Sequence, residues 1–388
     1  MKYLYRKEMV VIFFAAFSLI IGLILIRVIP PFPVISDFLD YDQIGQSLAN
    51  TGSYITISEQ QIIYPPLYPI FLALIYKIIG HSYLVVYLMQ FILTGLIAGV
   101  SFLIAYQQLR LSKKVGLIVG VVVMLWPYLI LYSLLLSSEV LFMFFLILFI
   151  YQLFYFIEKP TKQHAILAGL AIGLAVLARP VALLLPLWLI IGLTIINYLW
   201  PLGLNKKHLI NGLLGLMVFI ASLMPWTGYV YQHFGRIIPV ASNLSYVFNK
   251  ANTTLGYLEN KPLETETKPT TKTLVKTKLT NIYLFWNPGA SGYQADSLTT
   301  NFPQAKILLW FYRIGFLLIV VGGLGAIYWA KANRLILAGW AVILYFWALH
   351  TVLFPFPRYT LVIMPLVIAL AVFNFYTTIN YLLCRKKS

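Results

Sequence analysis

Apolar runs of roughly 20 residues, about the length of a bilayer-crossing helix, recur along the whole chain. Inside a membrane only helices and closed barrels satisfy all of their backbone polar groups, and these runs lack the strict alternation of barrel strands. With 61% hydrophobic and 10% charged residues, the composition also excludes an ordinary soluble domain. The sequence therefore predicts an all-α fold, a polytopic helical membrane protein with one transmembrane domain over residues 1–388.

The apolar runs and the basic residues together predict a topology. We expect about ten transmembrane helices, near residues 9–29, 83–107, 115–135, 138–157, 164–178, 181–201, 208–226, 306–330, 335–353 and 360–382. Basic clusters fall in the connections that ten spans place on one side, and that side is predicted to be the cytoplasm. Both termini are then cytoplasmic in a multi-pass protein of the cell membrane, and 30–82 and 227–305 become external loops. The net charge of +17 could suggest a nucleic-acid partner, but the basic residues recur in short clusters between spans, which is the positive-inside pattern, so nucleic acid is not an expected partner.

The first external loop concentrates acidic residues beside the membrane. Asp37, Asp40 and Asp42 are three of only 11 acids in the chain. Ser36 suits an N-cap and Asn50-Thr51-Gly52 suits a helix end, so a juxtamembrane helix is predicted between them. The three prolines at 65, 66 and 69 predict a rigid entry into a second helix in this loop. Projected on that helix, Asp37 lies within the apolar face, Asp40 at its edge, and Asp42 towards water. Asp37 either stabilises the helix start through the macrodipole or is a functional carboxylate pointing into a cavity, and its apolar position favours the second.

Other polar residues lie at predicted span ends on the outer side. Glu139 follows Ser138 at the start of the fourth span, where it is either a functional residue or an ordinary acid in a first helical turn. Arg179 and Arg358 either anchor the protein at lipid headgroups or bind a phosphate. The five histidines show no metal-ligand spacing, and the single cysteine, Cys384, allows no intrachain disulfide.

These residues occur in an order that resembles the GT-C superfamily of polytopic glycosyltransferases, most closely the protein O-mannosyltransferase-like enzymes and the lipid A aminoarabinose transferases. The resemblance is carried by short motifs in register with the predicted topology. They are Ser36-Asp37, Asp40-Tyr41, Tyr64-Pro65-Pro66-Leu67-Tyr68-Pro69, Ser138-Glu139, Gly173-Leu174, Arg179-Pro180, Pro225-Trp226 and Arg358-Tyr359. The family often has Arg-Asn shortly after Pro-Trp, whereas Thr227 and Gly228 follow here, so a cation at that place is either missing or supplied by Arg236.

The resemblance implies inverting transfer of a hexosyl or pentosyl unit from a polyprenyl-phosphate donor to an acceptor on the extracytoplasmic face. The acceptor would be a glycolipid, a polymer or a protein. Such a reaction passes through an oxocarbenium-like state and is helped by a base that takes the acceptor proton. Asp37 is the candidate base, with Asp40 and Glu139 orienting it or holding a divalent cation (Mg²⁺, Mn²⁺ or Ca²⁺). No cofactor beyond that possible cation is expected.

The remaining motif residues receive roles in binding and support. Those expected to bind the donor phosphate or lipid are Arg179, Arg358, Tyr359 and Tyr64. Those expected to support the site are Tyr41, Pro65, Pro66, Tyr68, Trp226 and Arg236.

Two other classes of membrane protein remain open at this point. A transporter or flippase would place ionisable residues and broken helices near the bilayer midplane, whereas here they cluster at the outer side. A surface-polysaccharide polymerase or ligase also has large external loops, and it would depend on external arginines instead of Asp37.

Overall fold

A computed structural model describes most of the chain. It covers residues 2–29, 31–55, 63–199, 203–242, 271–288, 305–331, 333–353 and 358–385. Within these ranges the chain forms helices and connecting turns, without a strand. In chain order the helices are α1 (Lys2–Val28), α2 (Asp37–Thr51), α3 (Leu67–Ile79), α4 (Tyr83–Leu103, continued by a π-helical turn, Ile104–Gln108), α5 (Lys113–Met124), α6 (Pro127–Ser133), α7 (Glu139–Glu158), α8 (Lys162–Ala178), α9 (Leu185–Leu199), α10 (Lys206–Phe234), α11 (Thr271–Leu284), α12 (Ala305–Gly325), α13 (Arg334–Val352), α14 (Arg358–Leu361) and α15 (Met364–Arg385).

The described helices confirm a polytopic helical membrane protein. Eight of them are long and apolar enough to cross a membrane, and the bent pair α5 and α6 makes a ninth crossing if it is one broken span. The helix α8 is also apolar but has only 17 residues. Every one of the ten predicted spans therefore coincides with a helix or with the bent pair.

Two of the predicted spans are shaped by residues that precede prolines. Trp126 and Arg179 both adopt extended backbone conformations, since a following proline disfavours the α region. The first separates α5 from α6, which meet at 51°, a break that the single predicted span 115–135 did not anticipate. The second ends α8 where the sequence predicted a division between two short helices, and a 3₁₀ turn, Pro180–Ala182, leads on towards α9.

The helix α10 is longer than predicted. The span predicted at 208–226 continues to Phe234, with Pro225 inside it, and ends at Gly235 in the left-handed conformation with φ of 64°. Apolar helices in membranes tolerate proline when nearby groups satisfy the freed backbone. Residues assigned to the start of the second external loop are therefore helical, and they extend beyond the span towards the first loop.

The first loop contains two juxtamembrane helices, as predicted. The helix α2 begins directly after Ser36 and ends at Gly52, which has φ of 71°, so both boundaries agree with the sequence. Ser36 occupies the N-cap position, but its side chain makes no capping hydrogen bond. The helix α2 packs along α3, and α3 in turn contacts α4 and α8. The acidic start of α2 is thereby fixed against the bundle.

The middle of the bundle is formed by α4, α7 and α13, whose apolar windows are mostly buried, whereas those of α1, α9 and α10 are mostly exposed on its outside. The contact between α1 and α4 is close because of Gly95, where any Cβ would overlap the backbone of Phe14 and Ala15. Small residues at helix interfaces allow this close packing, which drives helix association in membranes because lipid tails are as apolar as the side chains.

Candidate functional site

The first turn of α2 places two carboxylates beside one phenol. The Tyr64 hydroxyl donates a hydrogen bond of 2.5 Å to Asp40 Oδ2 and lies 3.4 Å from Asp37 Oδ1. Asp37 is exposed and Asp40 is partly buried, so the pair lines an accessible surface. Burial first, and then the hydrogen bond to Asp40, raise the pKa of Tyr64 above its ordinary value. Tyr64 therefore remains a protonated donor at neutral pH.

The proline motif fixes Tyr64 in this position. Pro65 and Pro66 are buried, and Pro66 immediately precedes α3. Tyr68, in the first turn of α3, is fully buried and donates a hydrogen bond of 2.9 Å to Gln90 Oε1 of α4. The motif thus forms a rigid connection between α2 and α4, and the supporting roles predicted for its residues stay a prediction.

One turn further along α2, Tyr41 connects the carboxylates to the transmembrane bundle. Its hydroxyl shares a hydrogen bond of 3.3 Å with Ser138 Oγ, and Arg179 Nη1 donates to the same oxygen at 3.2 Å. Its ring also packs edge-to-face on both Tyr64 and Tyr68. Burial raises the pKa of Tyr41 to about 12. This tyrosine therefore joins α2 to the start of α7 and to the end of α8.

A largely buried ion pair between Arg179 and Glu139 lies next to Ser138. Arg179 Nη1 lies 2.6 Å from Glu139 Oε1, and the side chains are only 16% and 5% exposed, respectively. Glu139 is also in the first turn of α7, where the helix macrodipole favours a negative charge. The structure thus brings together six residues that the sequence singled out from separate motifs: Asp37, Asp40, Tyr41, Tyr64, Glu139 and Arg179.

The prediction that Asp42 faces water is wrong. Asp42 is 2% exposed, and its carboxylate accepts hydrogen bonds from Tyr76 (2.6 Å), Tyr83 (2.8 Å) and Gln46 (2.8 Å). His81 Nε2 lies 2.9 Å from the same carboxylate. The helical projection identified one buried face of α2, but α3 and the start of α4 cover a second side, where Asp42 points. Asp42 therefore fastens α2 to the bundle.

The aromatic end of α10 packs on the first loop. The Trp226 ring contacts Tyr54 at a centroid distance of 4.9 Å and stacks on Tyr229 at 5.6 Å. Its indole Nε1 donates a hydrogen bond of 2.8 Å to the Val240 carbonyl, which holds the segment after α10 in place. Trp226 thus packs between α10 and the first loop, and its predicted supporting role stays a prediction. Arg236 is exposed just after α10.

The last predicted motif begins α14. Tyr359 is partly buried, and its ring packs on His350 of α13 at a centroid distance of 4.4 Å. The side chain of Arg358 is outside the part of the chain that the structure describes, so its predicted role stays a prediction.

The predicted cation ligands can be compared with this geometry. The described ranges contain no group of three or more His, Cys, Asp or Glu side chains positioned to hold a metal. Glu139, one of the three predicted ligands, contacts Arg179 instead. A cation held by Asp37, Asp40 and Glu139 stays a prediction.

Several contacting residues were not singled out from the sequence. Tyr76, Tyr83 and His81 surround Asp42, and Gln90 joins Tyr68 to the Ser133 and Leu135 carbonyls at 3.0 and 2.8 Å. A glutamine inside an apolar span was a signal that could have been used, because membrane helices need partners for such groups. The phenols carried no comparable signal in a chain with 27 tyrosines.

A comparison with known families supports the resemblance found in the motifs. Residues 64–226 match the family model described as dolichyl-phosphate-mannose-protein mannosyltransferase. The match begins at Tyr64 and ends at Trp226, and it includes the Glu139 and Arg179 ion pair. It confirms, for this segment, the predicted likeness to membrane glycosyltransferases of the GT-C type. No curated protein matches the chain.

Replacing Asp42 by asparagine is expected to destabilise the fold, because hydrogen bonds to a buried charge are lost. The expected cost is about 2 kcal/mol or more, measured as a lower melting temperature of the purified protein in detergent. Asp37→Asn is the matched control, since Asp37 is an exposed carboxylate on the same helix and should melt near the parent protein. Equal melting of all three proteins would contradict a fastening role for Asp42.

Breaking the ion pair from either side is expected to leave a buried charge without its partner. Glu139→Gln and Arg179→Gln should each cost about 3–5 kcal/mol, and the double variant should cost clearly less than their sum. Thermal unfolding of the four proteins gives the coupling. Simple additivity of the two single effects would show that the pair contributes nothing as a unit.

Proposed function

We propose that this protein is an inverting glycosyltransferase that moves a hexosyl or pentosyl unit from a polyprenyl-phosphate donor to an acceptor on the extracytoplasmic membrane face. One observation carries the proposal: the segment that matches the mannosyltransferase family holds a largely buried arginine and glutamate pair, which Ser138 and Tyr41 connect to the helix α2 that carries the two carboxylates. Such a site offers a cation for a phosphate and a base for a hydroxyl, the two groups that this reaction requires.

In the proposed reaction, an acceptor hydroxyl attacks the anomeric carbon of the donor sugar. A new C–O bond forms on one face while the bond to the phosphate oxygen breaks on the other, which inverts the configuration. Asp37 takes the hydroxyl proton, and polyprenyl phosphate leaves with the electron pair of the broken bond. Asp37 suits this role because it is the exposed member of the pair and can reach an incoming acceptor.

Asp40 and Tyr64 act on the position of Asp37. The Tyr64 hydroxyl is committed to Asp40 at 2.5 Å and approaches Asp37 at 3.4 Å, so it keeps the two carboxylates on one side of α2. A held carboxylate loses less entropy when the acceptor binds, which favours proton transfer.

Arg179 stabilises the negative charge that develops on the leaving phosphate. A guanidinium carries five N–H donors in a planar fork, a geometry that suits phosphate oxygens, and Arg179 is held in place by Glu139 and Ser138. Glu139 fixes the orientation of this side chain. Arg358 and Tyr359 are proposed as further donor-binding residues, on the basis of the family-like motif alone.

A divalent cation is proposed only for Asp37 and Asp40. Mg²⁺ sites commonly combine one or two carboxylates with substrate phosphate oxygens and water, and this pair could supply the carboxylates. The cation would offset charge on the donor phosphate. The acceptor, whether a glycolipid, a polymer or a protein, would reach Asp37 from its exposed side.

Asp37→Asn tests the proposed base. Transfer from a polyprenyl-phosphate sugar should fall by about 10²–10⁴-fold, because an amide cannot accept the proton, whereas the melting temperature and the donor binding measured without a divalent cation stay near the parent values. The donor is first identified as the lipid-linked sugar whose amount changes in a deletion strain. The transfer rate is then measured with this donor and purified protein. Full activity of this variant would refute Asp37 as the base and favour a polymerase or ligase that relies on arginines.

The orientation in the membrane can be tested through the single cysteine. Cys384 is exposed near the end of α15, and a cytoplasmic C-terminus predicts that an impermeant maleimide labels it only after cells are permeabilised. The control is Ser53→Cys in a Cys384→Ser background, which should label in intact cells because Ser53 is exposed after α2. The reverse pattern would place the site on the cytoplasmic side.

A further inference from the structure

An apolar groove lies at the opposite end of α7 from Glu139. It is a cavity of about 340 Å³ between α7, α8, α9 and α10, within the range of small-molecule pockets. Its walls are aliphatic and aromatic, and they include Phe149, Leu153, Ile172, Leu189, Leu193 and Phe219. Cavities of this character accommodate hydrocarbon chains.

The groove ends in a cluster of lysines. Lys206 lines the groove itself and also an adjoining recess whose walls include Lys162, Lys207 and Thr161. Among the described residues, no carboxylate lines the groove or this recess. We call the entrance formed by Lys162, Lys206 and Lys207 the mouth. An apolar groove with a cationic mouth is complementary to a lipid that has an anionic head.

The lysines occupy positions where a helix favours acids. Lys162 is the first residue of α8, and Lys206 and Lys207 are the first two of α10. Neither helix has an acid in its first turn. The positive ends of two macrodipoles and three cations therefore converge at the recess, and a bound anion would relieve their repulsion.

Buried side chains hold this mouth in shape. Asn211, only 4% exposed, donates a hydrogen bond of 2.7 Å to the Pro160 carbonyl, and His208 Nε2 lies 3.2 Å from the Ile157 carbonyl. The turn between α7 and α8 is thus fastened to the first turns of α10. The mouth is preorganised, which reduces the entropy cost of binding.

We propose that this groove is a binding site for an anionic glycerophospholipid, with the phosphate at Lys162, Lys206 and Lys207 and one acyl chain between α8, α9 and α10. The site does not rest on the proposed glycosyl transfer. The 17 residues of α8 separate Lys162 from Arg179 by about 25 Å, so the mouth is distinct from the place proposed for the donor phosphate.

The lysines are tested with a matched pair of variants. The delipidated full chain in neutral detergent is titrated with phosphatidylglycerol and with phosphatidylcholine of the same acyl chains, and bound lipid is counted by native mass spectrometry. Lys206→Gln/Lys207→Gln should weaken phosphatidylglycerol binding by about 25-fold, roughly fivefold for each charge. Lys113→Gln/Lys114→Gln is the control, because these exposed lysines also begin a capped helix but line neither the groove nor the recess.

The groove is tested independently of the charges. Thr194→Trp places a large ring in the groove and should abolish the tightly bound lipid, whereas Ile195→Trp, at an exposed position that does not line it, should leave binding unchanged. Melting temperatures of both variants show whether the fold survives.

Three results would overturn the proposal. Equal affinity for the two lipids would mean that the mouth does not recognise charge. An equal loss in the Lys113/Lys114 control would mean that the lysines act only as general surface charge. Displacement of the bound lipid by one equivalent of polyprenyl phosphate would assign the groove to that lipid instead.

Discussion

The ion pair between Glu139 and Arg179 sits where α7 begins and α8 ends, and the arrangement of the candidate site depends on it. A charge buried beside apolar helices is costly unless it is paired and hydrogen-bonded. Here each member satisfies the other, and Ser138 passes the connection on to Tyr41 of α2. The helix that carries Asp37 is therefore positioned by the same contact that neutralises the buried charges. Removing either charge would disturb both the packing of α7 with α8 and the position of α2.

Much of the fold could be predicted because its main causes are local. Apolar run length identified the spans, and the Arg179-Pro180 step identified the division between α8 and the next helix, since proline restricts the residue before it. The boundaries of α2 followed from Ser36 and Gly52. The same rule was available at Trp126-Pro127, but the apolar pattern continued across it, and the bend was missed.

The candidate site was predictable only in part because its partners come from distant segments. Glu139 and Arg179 are 40 positions apart, and nothing in the sequence states that one meets the other. Asp42 shows the limit most clearly. A helical projection treats one face as buried, whereas α2 is covered on two sides, so a carboxylate placed towards water by the projection is enclosed by two phenols and an imidazole. The length of α10 was missed for another reason. Proline usually ends a helix, but in an apolar environment α10 continues through Pro225.

Ser242 connects the segment after α10 with the segment before α3. Its hydroxyl oxygen accepts a hydrogen bond of 2.9 Å from the Ile63 amide, and its own amide donates at 3.2 Å to the Ile63 carbonyl. Ile63 immediately precedes Tyr64, the phenol that holds both carboxylates of α2. Ser242 is therefore hydrogen-bonded to the residue directly before Tyr64. Exchanging the chain around Ser242 for a different sequence would therefore disturb the position of Tyr64 unless the two hydrogen bonds between Ser242 and Ile63 were kept.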